Sequence, residues 1–167
     1  TKPNKQYVNN TRKLARIDQS TKIGTQTTII DTLLKRNILL INLMDKKFGI
    51  ILDGNDTSDV ENIIYSEESE DFLGIECKKA IINSINKKTK KSTTSTIYYT
   101  NKIDNSYNIN FKKLKGFPIY YEIISNNIIS TYLAVEMTKK NIDPKIFEID
   151  NKTSIYKMED FRALMTQ

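Results

Sequence analysis

The chain has 167 residues, 38% of them hydrophobic, and a formal net charge of +6. That length is most simply one domain, 1–167, with enough apolar material for a real core, which excludes disorder throughout. The positive balance invites a nucleic-acid partner, but the composition behind it argues against one, and none is expected. Its 22 Lys stand against only 4 Arg, beside 26 Ile and 17 Asn, which is the mark of A/T-rich codons rather than of a surface built to grip phosphates and base edges.

The chain opens TKPNKQYVNN, with neither an initiator Met nor a charged-then-apolar signal segment, as a mature or trimmed chain does. It holds no run of about 18 apolar residues, so no transmembrane helix is expected. From there the dominant period is two. Residues 11–18 (TRKLARID), 24–31 (GTQTTIID), 36–43 (RNILLINL) and 47–53 (KFGIILD) read as successive strands, with polar punctuation such as QST and MDKK between them. Residues 54–72 read as an acidic excursion between two halves of a sheet, with one helical turn around 58–65. Strands resume at 73–83 (LGIECKKAIIN) and 94–100 (TSTIYYT), joined by the Lys-rich hairpin tip SINKKTKKST. A longer loop with a weak strand follows at 101–115. GFPIYYEIIS, the turn NN and IISTYLAVEMTKK then form a second hairpin, and NIDPKIFEID holds a Pro-initiated turn. The tail 156–167 predicts an amphipathic helix with Met158, Phe161, Leu164 and Met165 on one stripe.

Alternation sorts the strands by face. Ile119, Tyr121 and Ile123 share one parity, and Tyr120, Glu122 and Ile124 the other. Leu133, Val135 and Met137 alternate with Tyr132, Ala134 and Glu136. One face of the sheet is predicted fully apolar. The other is mixed, and more apolar than a solvated face needs, so the terminal helix, the acidic excursion or a bound molecule is expected to cover part of it. In LKGFPIYYEI, Gly116 supplies backbone freedom. Pro118 lacks an N–H and belongs at a strand start or an edge. Phe117 is then a plug at the strand's mouth.

Absences bound the chemistry. Without His the chain cannot build a Ser-His-Asp or Cys-His nucleophile, and it lacks the commonest ligands of catalytic zinc. The five glycines never cluster into a phosphate loop. The single Cys77 excludes an intramolecular disulfide and reads as a small buried hydrophobe. DGNDTSDVE sets Asp53, Asn55, Thr57 and Asp59 at alternate positions like a calcium loop, but Ser58 stands where Gly is required and Ile64 where Glu is required. KKTKK (87–91) suits anionic lipid or polysaccharide, and equally an anti-aggregation cluster at a hairpin tip. No catalytic constellation, metal set or cofactor motif emerges, so the expectation is a protein that is not an enzyme.

Four stretches in order carry a resemblance: LGIECKKAII (73–82), TIYYTNKI (96–103), LKGFPIYYEI (114–123) and LAVEMTKKNIDPKIFEI (133–149). Together they resemble an uncharacterised family of secreted bacterial proteins with a LolA-like (outer-membrane lipoprotein carrier-like) fold. They also resemble the neighbouring GLPGLI family, whose name-giving motif falls where GFPIYY stands. The likeness spans about residues 10–150. It departs at Asp150, where that family carries Pro, and in the appended helical tail. The fold class it implies is mainly β (α+β): a single strongly curved antiparallel sheet, an unclosed barrel, with a C-terminal helix. It further implies export to the periplasm or cell envelope, with a lipid anchor upstream of Thr1 left open.

Two functions from different classes follow. In the first, the sheet's concavity holds a lipid or acyl chain, lined by Tyr99, Phe117, Ile119, Tyr121, Leu133 and Val135; the alternative for those residues is that they pack against each other and the terminal helix. In the second, the chain is a structural or interaction module of an envelope assembly, meeting a partner protein through exposed strand edges or the Tyr-bearing face.

Overall fold

The structure, a computed structural model, describes residues 4–21, 24–43, 46–52, 59–86, 89–125 and 128–166. It is mainly β, as the alternation predicts, with eleven strands and one α-helix among the described residues. These strands form two open sheets rather than the single sheet expected, and neither closes into a barrel. The chain makes two compact units, residues 1–55 with 140–167, and residues 56–139.

The first unit carries β1 (Lys5–Asn9), β2 (Leu14–Thr21), β3 (Gly24–Asp31), β4 (Arg36–Leu43) and β5 (Lys46–Leu52) as an antiparallel meander. β11 (Ser154–Lys157) then pairs parallel with β5, from Ser154 opposite Phe48 to Lys157 opposite Ile51. Local chemistry sets the turns. Asn9 Oδ1 accepts the Arg12 N–H at 3.0 Å, and Asp31 Oδ1 accepts the N–H groups of Leu33 and Leu34 at 3.1 and 2.9 Å, the side-chain mimicry of a turn at which Asn and Asp excel. The Thr32 N–H and hydroxyl both reach the Lys13 carbonyl, at 3.1 and 3.0 Å, and tie the two turns together.

The helix α1 (Met158–Met165) starts two residues later than the tail predicts, because Tyr156 and Lys157 are recruited into β11. Phe161 meets Phe48 edge-on at 5.6 Å, and it docks the helix. Leu164 and Met165, expected on the packed stripe, are exposed. No helix of the described residues is long and apolar enough to cross a membrane.

The second unit is an antiparallel meander of β6 (Asp59–Phe72), β7 (Ile75–Asn86), β8 (Ser92–Thr100), β9 (Phe117–Ser125) and β10 (Ile128–Leu133), with β6 and β10 at its edges. Here the expected acidic excursion is corrected: its residues 59–72 form the longest strand, while 54–58, like most of the calcium-like stretch, lie outside the described residues. The acids conceal a strand because an edge needs charge on its solvent side. Beneath them Ile63 and Tyr65, two apart, pack on the core. A register shift between Tyr65 and Ser69 lifts Ser66, Glu67 and Glu68 out of the ladder. The β6–β7 connection is a two-residue turn in which Leu73 and Gly74 both have positive φ, 56° and 73°, the mirror-type hairpin turn that matches strand twist.

The Gly-Phe-Pro break starts β9 as predicted. β9 is an interior strand, however, between β8 and β10, so Pro118 needs another reason to be tolerated. The register supplies it: Tyr98 pairs with Tyr120 and Tyr99 with Pro118, which leaves Ile119 as the extra residue of a β-bulge. Proline's missing N–H falls at that break in the ladder. Gly116 is fixed by space, since an added Cβ would stand 2.6 Å from the Thr100 carbonyl oxygen and 2.6 Å from the Tyr99 ring.

Residues 101–116 form no strand. A short 3₁₀ turn (Asn105–Tyr107) leads into a loop whose carbonyls at Phe111, Lys112 and Leu114 all accept from the Asn105 amide, at 3.0, 3.2 and 2.8 Å. So braced, Phe111 and Leu114 are buried against Ala80, Ile82, Ile97 and Tyr99 to form the unit's core.

Candidate functional site

The six residues expected to line a cavity are separated by the structure. Tyr99 and Ile119 are 5% and 3% exposed. Tyr121 is half-buried, with Phe111 edge-on at 5.0 Å and Tyr132 stacked at 4.6 Å. Phe117 is half-buried at the start of β9. Leu133 and Val135 are 51% and 71% exposed. Tyr132 pairs with Tyr121 and so shares its face, which places Leu133 on the other. The apolar face around Tyr99 and Tyr121 is thus filled by the chain's own loop. Lys115 donates its N–H to the Tyr65 hydroxyl at 3.2 Å and holds its ammonium 4.3 Å from that ring, while Asn110 donates to the Tyr121 hydroxyl at 3.4 Å. Burial under this loop pushes the Tyr99 and Tyr121 phenols up.

An apolar recess with an opening lies instead in the first unit. On β3 and β4, Ile29 opposes Ile38 and Asp31 opposes Arg36. β2 adds Leu14 and β11 adds Ile155. Over them runs a strap, residues 143–153, that contributes Phe147 and Ile149. Together these eight side chains bound a hollow of about 350 Å³, apolar along its walls and polar where Asp31 and Arg36 stand.

Charge pairs hold the strap. Pro144 opens its 3₁₀ turn, and Asp143 caps that turn by accepting the Lys145 N–H at 2.9 Å. Arg16 reaches from β2 to donate to the Ile146 carbonyl at 2.8 Å, and it is itself oriented by Asp18 at 2.9 Å. The Thr27 hydroxyl donates to the same Asp18 at 2.6 Å. Further along, Lys47 meets Asp150 at 2.6 Å, and that hydrogen bond, with one from the Lys152 N–H, holds the Asp150 carboxyl below its usual range. Asp150 is therefore an anchor of the strap. A second, polar recess of about 230 Å³ opens along this part of the strap beside Arg16, Asn42, Lys47 and Glu148.

Of the strap's anchors the sequence singled out Asp150 alone, and nothing in it named Lys47 as its partner. The available signal was Arg16 itself, one of only four arginines, two residues before an acid on a strand where both point to one face.

In the second unit Phe72, Tyr98 and Tyr120 cluster on the face opposite Tyr121, with Phe72 stacked on Tyr120 at 5.4 Å and tilted against Tyr98 at 5.2 Å. The Tyr120 hydroxyl donates to Glu122, which pushes its pKa up to about 12. Cys77 is fully buried and burial raises its thiol pKa, which makes it a packing residue rather than a nucleophile. Among the described residues no three His, Cys, Asp or Glu side chains gather in a way that could hold a metal ion. The chain matches no family model, no curated protein and no solved structure.

Proposed function

We propose that the chain is a non-enzymatic binding protein of the bacterial periplasm or cell envelope that holds an apolar, acyl-type ligand in the hollow beneath the 143–153 strap. One observation carries the reading. Six apolar side chains from four separate elements and the strap converge on about 350 Å³ of space, within the ~300–1,000 Å³ range of small-molecule sites. The polar pair Asp31 and Arg36 at one side gives the ligand's polar end a place and a direction. The strap, fastened at Arg16 and Lys47, is the element that would yield to admit it. The LolA-like kinship and the export it implies belong to the same proposal. They rest on the four sequence stretches at 73–82, 96–103, 114–123 and 133–149.

The test is a fluorescence titration with cis-parinaric acid, on the wild-type chain and on Ile155→Arg. Ile155 is on the edge strand β11 and is itself exposed, so the substitution places a charge beside the hollow without cutting the core. The expected result is saturable one-to-one binding that Ile155→Arg weakens at least tenfold while the circular dichroism spectrum is unchanged. Absence of saturable binding, or binding indifferent to Ile155→Arg, overturns the proposal.

A further inference from the structure

The two sheets have four edge strands, and three of them are charged. β1 carries Lys5, β11 carries Lys157, and β6 carries Glu61, Glu67, Glu68, Glu70 and Asp71, with a register shift as well. These are the usual guards against edge-to-edge pairing. The fourth, β10, reads IISTYL, and from Ile123 to Val135 the chain has no charged residue at all. It also leaves its apolar side chains in solvent: Ile128 is 66% and Ile129 63% exposed, beside Leu133 and Val135.

The ladder shows which backbone groups are unspent. Beyond the last residue of β10, the Ala134 N–H donates to the Ile119 carbonyl at 2.9 Å. That bond continues the register in which Leu133 faces Tyr120 and Tyr132 faces Tyr121. Bonded and non-bonded pairs alternate along an antiparallel ladder. Ala134, Tyr132 and Ser130 therefore spend their N–H and C=O groups on β9. Ile129, Thr131 and Leu133 turn theirs outward, and among the described residues nothing meets them.

We propose that β10 pairs antiparallel with β10 of a second copy of this chain, about a two-fold axis through Thr131. In that register Ile129 of one copy faces Leu133 of the other and Thr131 faces Thr131, so every outward N–H and C=O of the three residues is satisfied. The two-fold keeps each side chain on its own face, so exposed Ile129 covers exposed Leu133 twice over, and no charge is opposed to a like charge within the strand. A copy of β6 offered to itself would set acid against acid. An edge six residues long makes a small interface, of the class in which transient specific association falls.

Sedimentation equilibrium over a concentration series, combined with amide exchange, tests this. The wild-type chain is expected to dimerise, with the amides of Ile129, Thr131 and Leu133 gaining protection as concentration rises and those of Ser130 and Tyr132 unchanged. Thr131→Pro removes an outward N–H without touching the bond to β9, and is expected to weaken association about tenfold or more. Leu133→Lys, an exposed position, is the second variant and decides the matter should the proline disturb the fold. A chain that stays monomeric, including one whose edge serves a strand from a different protein, overturns the proposal. So does an association that survives both substitutions or leaves the three amides unprotected. The parinaric acid titration is read in the other unit and is indifferent to either outcome.

Discussion

Replacing Gly116 by Ala perturbs the close approach that permits the Gly-Phe-Pro break. The new Cβ would lie 2.6 Å from the Thr100 carbonyl oxygen, 2.6 Å from the Tyr99 ring and 2.7 Å from Asn101 Oδ1. The Asn101 side chain is exposed and can turn away. Thr100 and Tyr99 are buried and belong to β8, so they move only with the ladder. Overpacking of this kind costs about 1–3 kcal/mol. Against it stands the reduced freedom of the unfolded chain, worth about 0.4–1 kcal/mol in favour of Ala. The net is a destabilisation of about 1–2 kcal/mol. For a chain of this length that lowers Tm by roughly 2–8 °C, and amide exchange at β8 and β9 should quicken more than in the first unit. Gly74→Ala is the informative contrast, because nothing lies within 4 Å of its Cβ and only its φ of 73° opposes the substitution. An unchanged or raised Tm for Gly116→Ala would show that space is not what selects glycine at this position.

Three further outcomes are expected. Leu73 is exposed and held at a φ of 56°, a left-handed conformation that Asn accepts more readily, so Leu73→Asn should stabilise by about 0.5–1 kcal/mol in urea unfolding. Arg16→Met leaves the Ile146 carbonyl without its donor and Asp18 with only the Thr27 hydroxyl, costing about 1–3 kcal/mol, with faster amide exchange along residues 145–148 as the local readout. Because the Tyr120 pKa is raised from its ordinary 10.0 to about 12 by the hydrogen bond to Glu122, the unfolded chain releases that proton first. The stability it contributes is then present below pH 10 and lost as pH rises from 10 through about 12. In Glu122→Gln, one tyrosine should titrate at lower pH by phenolate absorbance.

Much of this protein was legible in its residues before any fold was known. Alternating oily and wet side chains dictated strands, and their β-branched content held wherever both partners were strand-like, as in 24–31, 36–43 and 94–100. Gly-Phe-Pro announced the start of β9. Cys77 was correctly read as a buried hydrophobe, because a lone thiol amid Ile and Ala has nothing to lower its pKa. These properties are local: each depends on a residue and its immediate chain neighbours.

What the tertiary structure decided depends on partners far away in sequence. Residues 59–72 became a strand because β7 lay ready to pair with them, whatever their acids preferred. The expected lining was divided because loop 101–116, polar in sequence, turned Phe111 and Leu114 inward once Asn105 had gathered its carbonyls. The hollow of the first unit arose from a strap that returns about 130 residues after Arg16 to take its hydrogen bond. A linear pattern states which side chains share a face. Which segment comes to cover that face is fixed only when distant parts of the chain compete to bury it.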